Sequence, residues 1–170
     1  MQAKAGKVLD GKMAGDKGFD PLGFASSVPK LRIYREAELK HGRLAMLAAL
    51  GWPVAEQFNG PLSKAMGLPS MLTAGGLDPS VLNGGIAAIS PFYWFGVGEP
   101  VMLAGDMSYL PGDLGFDPLG LFKGSEQQKM SLQLKEVNNG RLAMIAITGY
   151  AIQEAATKVS VVSSLRVSAL

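Results

Sequence analysis

Cysteine is absent from this 170-residue chain. That excludes disulfide scaffolds, cysteine-ligated zinc, iron–sulfur clusters and thiol catalysis. Histidine occurs once, which leaves no multi-histidine metal site. Charge is scarce: Asp, Glu, Lys and Arg make up 18% and leave a net charge of +2. So near-neutral a balance argues against a chain built mainly to bind nucleic acid. What is plentiful is apolar. Hydrophobic residues make up 48%, with 22 Gly and 10 Pro too aperiodic for collagen. The chain is too apolar for disorder and for an ordinary soluble domain of this size. Composition points to a small helical membrane protein. Met1–Lys12 carries three lysines but no apolar stretch of signal-peptide length. It reads as a processed chain or one not exported by that route.

An internal repeat organises the rest. Gly15–Gly23 reads GDKGFDPLG and Gly112–Gly120 reads GDLGFDPLG. Further on, Glu38–Ala48 reads ELKHGRLAMLA and Glu136–Ala146 reads EVNNGRLAMIA. The match then thins, with Gly51 against Gly149 and Glu56 against Glu154. One supersecondary unit therefore occurs twice, as repeat one (15–58) and repeat two (112–158), with a different segment between.

Each unit runs from a Gly/Asp/Pro turn through a charged stretch into an apolar run, Leu44–Ala55 and Leu142–Ile152. Such runs alone fall short of the ~20 residues that cross ~30 Å of hydrocarbon. Read as helices, Lys30–Phe58 and Ser125–Lys158 are long enough, with Pro53 inside the first as a possible kink. The middle segment, 81–105, holds Phe92, Tyr93, Trp94 and Phe95, and its only charged side chain is Glu99. It reads as a third, shorter span. Three spans put both repeats in one orientation. The segments 1–37 and 105–135 then share a side with ten Lys and Arg, against three for 57–80 and 156–170. That is the positive-inside asymmetry. The expected fold is an all-α membrane protein of three transmembrane helices, a single domain over 1–170. The bland rivals are a soluble helical bundle or helices lying flat on a membrane.

In each repeat Glu, a nitrogen- or oxygen-bearing ligand residue and Arg fall at i, i+3 and i+5. These are Glu38, His41, Arg43 and Glu136, Asn139, Arg141. Positions i and i+3 share a helix face. Position i+5 lies about 140° round from i, so Arg43 cannot easily satisfy Glu38. Unpaired charge in a membrane is expensive, so the partners must come from the other repeat. If the first and third helices cross about a pseudo-two-fold axis, Glu38 meets Arg141 and Glu136 meets Arg43. Gly42, Gly140 and nearby alanines would let the backbones approach. A carboxylate paired to Arg keeps lone pairs for a hard cation such as magnesium. With His41, Asn139 and Gln153, spaced too far apart to chelate one bare ion, these residues look like separate axial ligands of several metal-centred cofactors. Glu36 with Lys40 reads as an ordinary i,i+4 pair. Trp52 and Trp94 read as interfacial anchors or pigment contacts.

Glu-x-x-His-Gly-Arg-x-Ala-Met and Glu-x-x-Asn-Gly-Arg-x-Ala-Met, each preceded by Phe-Asp-Pro-Leu-Gly, resemble the light-harvesting chlorophyll-binding antenna family over nearly the whole chain. The first helix, running into Gly-Trp-Pro, is similar to red-lineage members, red algal or chlorophyll a/c-type. The resemblance implies that Glu38, His41, Glu136, Asn139 and Gln153 each ligate the magnesium of one chlorophyll. It implies that Phe19, Asp20, Pro21, Leu22 and Phe116, Asp117, Pro118, Leu119 hold carotenoid ends. Glu99 is a further ligand candidate, although Met102 stands where an Arg often balances that Glu. No histidine follows Gln153, so a ligand of some members near the C-terminus is missing.

The implied cofactors are chlorophyll a, with chlorophyll c as a second pigment, xanthophyll carotenoids and a structural lipid. The implied partners are a photosystem core (photosystem I favoured), neighbouring antenna subunits and thylakoid lipid, in the chloroplast thylakoid membrane as a multi-pass protein. The implied activity is light harvesting and excitation transfer, without enzymatic chemistry. The alternatives are a photoprotective or quenching use of the same scaffold and, behind it, a small membrane transporter.

Overall fold

The structure, a computed structural model, describes residues 8–70, 72, 73, 76–83 and 110–167. Among these, two long helices dominate. Helix α1 spans Val28–Met66 and α2 spans Glu126–Thr157; a short α3, Val161–Val167, follows. Short 3-10 helices form at Val81–Asn83 and Leu121–Lys123. The expected middle helix beyond Asn83, with Glu99 and Trp94, lies outside the described residues.

Helix α1 continues to Met66 instead of ending near Phe58, passing through Pro53 and Pro61. Each proline removes one backbone bond, and the helix continues on the bonds around it. Helix α2 starts at a capping box. The Ser125 N–H donates to Gln128 Oε1 at 3.0 Å, and the Gln128 N–H donates to Ser125 Oγ at 3.4 Å. It stops where Lys158 adopts φ 55, a left-handed stop made without glycine, its N–H donating to the Glu154 carbonyl at 2.8 Å. Ser160 then starts α3, its Oγ accepting from the Ser163 N–H at 3.3 Å.

Contacts divide the chain into two compact units, one of 1–44 with 100–142, the other of 45–99 with 143–170. In the first, α1 and α2 meet backbone to backbone. A Cβ on Gly42 would lie 3.0 Å from the Gly140 Cα, and the reverse holds equally. Leu39 and Val137 are buried beside this contact. The turns before the helices seat crosswise: Gly15 packs on Val137 and Arg141, Gly112 on Leu39 and Arg43. Both need glycine, with φ +76 and +80 and no room for a Cβ against Val137 or Leu39. In the second unit the core gathers Trp52, Leu77 and Val161, with the Trp52 and Tyr150 rings edge to face at 6.2 Å.

The apolar residues of the long helices mostly miss these cores. Leu47, Leu50 and Ile145 are 71%, 70% and 71% exposed, and Leu142 and Ile152 are exposed as well. No helix among the described residues is long and apolar enough to cross a membrane. The charges from Arg32 to Arg43, the prolines of α1 and the short apolar runs account for that.

Candidate functional site

The repeated charges come together between repeats. Arg43 Nε donates to Glu136 Oε1 at 2.7 Å, and Arg141 Nε donates to Glu38 Oε1 at 2.7 Å. The matched distances follow from the Gly42–Gly140 contact, which brings each helix's Glu to the other's Arg. Roughly a third of each side chain remains exposed. The pairs thus neutralise the charges without enclosing them. Arg141 Nη1 also donates to the Gly15 carbonyl at 3.0 Å, tying repeat one's turn to repeat two's helix.

The two sites are not equivalent. Arg35 Nη1 donates to Glu38 Oε2 at 2.7 Å, so a guanidinium occupies each oxygen of Glu38. The repeat-related position of Arg35 is Gln133, which carries no charge. Arg35 is buried, and its Nη2 donates to the Ala14 carbonyl at 2.6 Å. Its neighbour Glu36 is buried too and accepts the Gly112 N–H at 2.5 Å, while Lys40 stands 3.5 Å away. Glu36 therefore anchors repeat two's turn and is more than the ordinary surface pair its spacing suggests. The Arg35–Glu38 contact is an i,i+3 pair within α1, but the Ala14 and Gly112 contacts were not readable locally, because they depend on which turns land on α1.

His41 and Asn139 are exposed, three residues on from Glu38 and Glu136 on the same helices. His41 Nδ1 lies 2.7 Å from the Ala37 carbonyl. A carbonyl only accepts, so Nδ1 carries the proton and Nε2 keeps its lone pair. A half-exposed Gln153 sits near the end of α2, its Nε2 donating to Ser164 Oγ. Among the described residues no group of three or more acidic or histidine side chains could hold a metal ion. Glu38, His41 and Glu136 thus do not gather around a single ion.

The two Phe-Asp-Pro-Leu-Gly blocks form matching turns. Asp20 accepts the Phe24 and Ala25 N–H groups at 3.0 and 2.8 Å; Asp117 accepts those of Leu121 and Phe122 at 3.0 and 2.9 Å. The Phe122 N–H foremost, with those of Leu121 and Gly120, holds the Asp117 carboxyl below the usual range. Locked this way, Pro21 and Pro118 shape turns that push Phe19, Leu22, Phe116 and Leu119 outward, each more than seven-tenths exposed. An isolated apolar side chain at the surface is unremarkable, but two matched Phe–Leu pairs on rigid turns suit an apolar ligand. Beside the first turn lies an open groove of about 750 Å³, lined by Leu9, Phe19, Phe24, Leu31 and Tyr34 with Glu38 among them.

A second cluster went unassigned in the sequence. Trp52 Nε1 lies 3.2 Å from Oε1 of both Glu56 and Glu154, the thinning end of the repeat. Glu154 is 1% exposed, and Asn83 Nδ2 reaches its other oxygen at 3.5 Å. Glu56 accepts the Val161 and Val162 N–H groups at 3.1 and 2.9 Å, capping α3 from outside. Trp52 is therefore buried with its indole N–H on two carboxylates, and is not an exposed anchor. The signal was the match of Glu56 with Glu154 across an otherwise fading repeat.

The chain matches the family model described as chlorophyll A-B binding protein over residues 5–155. It is 41% identical over 166 residues to the light-harvesting complex stress-related protein 1 of Chlamydomonas reinhardtii, covering 87% of this chain and 64% of that protein. It is 40% identical to a fucoxanthin-chlorophyll a-c binding protein of Isochrysis galbana, covering 81% and 71% respectively. A like-named protein of Chattonella marina is 34% identical, over all of this chain and 80% of its own length. The chain thus spans somewhat less than two thirds of the stress-related relative. With the inter-repeat ion pairs and doubled turns, this match over most of its length makes the chain a member of the chlorophyll a-b binding protein family.

Proposed function

We propose that this chain is an antenna protein that binds chlorophylls and carotenoids, harvests light and passes excitation to a photosystem. The observation that carries the reading is the pair of inter-repeat ion pairs with a solitary ligand residue three positions on from each Glu. Glu38, His41, Glu136, Asn139 and Gln153 hold one chlorophyll magnesium each, and Glu99 is a sixth candidate. The bound pigments supply the absorption. The protein supplies their spacing, orientation and local field, so no residue is catalytic. The two Phe-Asp-Pro-Leu-Gly turns seat carotenoid ends.

In this reading residues 1–170 act as one domain in the chloroplast thylakoid membrane. Helices α1 and α2 cross as two spans, and 81–105 is the third. Hydropathy taken helix by helix counts Glu38, Arg43, Glu136 and Arg141 as full charges; cross-helix pairing cancels them. The exposed Leu47, Leu50, Leu142 and Ile145 then face pigment and lipid. The partner is a photosystem core, photosystem I favoured, alongside neighbouring antenna subunits. The fucoxanthin-chlorophyll a-c relatives favour chlorophyll a with chlorophyll c.

The stress-related relative supports a second reading, quenching on the same scaffold. A transporter is disfavoured, since each repeat Glu already has its Arg. Pigment chromatography and excited-state lifetime of the purified complex test all three. A nanosecond-scale lifetime with several chlorophylls per chain is expected. A strongly shortened lifetime would favour quenching, and a colourless protein would sink both pigment readings.

A further inference from the structure

Gln153 has no counterpart in repeat one, where Ala55 occupies the related position. Among the described residues, no helix like α3 follows α1 directly. The two features belong together. Helix α3 is held by its first residues: Val161 is 1% exposed, and Glu56 accepts the N–H groups of Val161 and Val162. Three residues on, and so on the same face of α3, stands Ser164. Its Oγ donates to the Val161 carbonyl at 2.8 Å, as a helical serine does, and accepts from Gln153 Nε2.

That order of donors fixes a chemical choice. A serine hydroxyl has one proton, and here it goes to Val161. Toward Gln153 the hydroxyl oxygen therefore only accepts. The carboxamide must turn its NH2 to Ser164 and its Oε1 away. An axial magnesium ligand needs a lone pair, which Oε1 has and the amide nitrogen lacks.

We infer that Ser164 is a positioning residue which, held by the Glu56-capped α3, presents Gln153 Oε1 as a chlorophyll ligand. The inference rests on the ligand role proposed above for Gln153. Partners that orient a metal ligand typically contribute about 10–100-fold in affinity.

The test is reconstitution of the full chain with carotenoids and a limiting series of chlorophyll a, counting chlorophylls per polypeptide. Ser164→Ala should weaken filling of one site by about tenfold, with full occupancy recovered in excess chlorophyll. Its difference absorption spectrum against wild type should coincide with that of Gln153→Ala. Ser164→Thr, which keeps the hydroxyl, should fill normally, and Gln153→Ala/Ser164→Ala should lose no more than Gln153→Ala. Normal filling of Ser164→Ala at limiting chlorophyll, a different lost band, or an added loss in the double variant would overturn the positioning role. A Gln153→Ala protein that keeps every chlorophyll would instead overturn the ligand assignment, and the inference with it.

Discussion

Arg43 and Glu136 illustrate how one side chain serves two demands. The carboxylate balances a guanidinium 2.7 Å away through Oε1 and keeps lone pairs for a ligand role. Glu136→Gln removes the balancing charge and strands Arg43. Breaking a fully buried pair costs roughly 3–5 kcal/mol; this pair is a third exposed in the bare chain, so about 2–4 kcal/mol is expected. That is a large share of a typical domain's stability. Reconstitution yield with excess pigment should fall sharply. His41→Leu removes only a lone pair at Nε2, because the Nδ1 bond stays within its own helix turn. One chlorophyll should be lost at near-normal yield. Equal yields for the two variants would show that the charge pair does not hold the helices together.

Elements are joined at glycine. Gly42 and Gly140 permit the α1–α2 contact, and a methyl on either would press on backbone that cannot yield as a side chain does. Gly140→Ala is therefore expected to cost about 1–3 kcal/mol by overpacking, despite alanine's better helix propensity. Gly149→Ala, also within a helix, meets nothing within 4 Å and should be neutral or stabilising by up to about 1 kcal/mol. Thermal loss of pigment circular dichroism in the two variants would check this contrast. If Gly140→Ala melts with the wild type, the close approach does not limit the assembly.

Among the described residues, exposed leucines and isoleucines outnumber buried ones. Protein-to-protein burial is thin, and a ligand that binds only the folded state stabilises it by mass action. Chain refolded in detergent without pigment should show no cooperative melting transition, while the same chain with chlorophyll and carotenoid should. A cooperative transition without pigment would show that chain contacts suffice. Acid also enters at this scale. Burial foremost, with the charge of Glu56, pushes the Asp78 carboxyl up to about 6. A raised folded pKa means that the folded state holds more protons between the ordinary value near 4 and about 6. Stability from this group is therefore greatest at low pH and falls as pH rises through that window. Asp78→Asn should melt higher than wild type at pH 7, and the gap should close by about pH 4.5. A pH-independent gap would remove Asp78 as the titrating group.

Much of this arrangement was legible in the residues themselves. The repeat paired Glu38 with Arg141 and Glu136 with Arg43, because helical geometry turns the Arg of each motif away from the Glu five residues before it. Glycine at matched positions marked the place where the backbones touch, and Asp-Pro-Leu-Gly marked the turns. These are local rules applied twice, and symmetry supplied the long-range part. What only the tertiary structure decided lies where the symmetry fails. Arg35 reaches the Ala14 carbonyl of the preceding turn, while the matching Gln133 carries no charge. Glu36 receives a turn from the other repeat, and Glu56 caps α3. Lys158 ends α2 in a left-handed conformation that side-chain chemistry does not signal. The Arg35–Ala14, Glu36–Gly112 and Glu56–Val161 contacts join residues far apart in the chain, with no second copy to announce them. Their energetics appear only once the chain has folded back on itself.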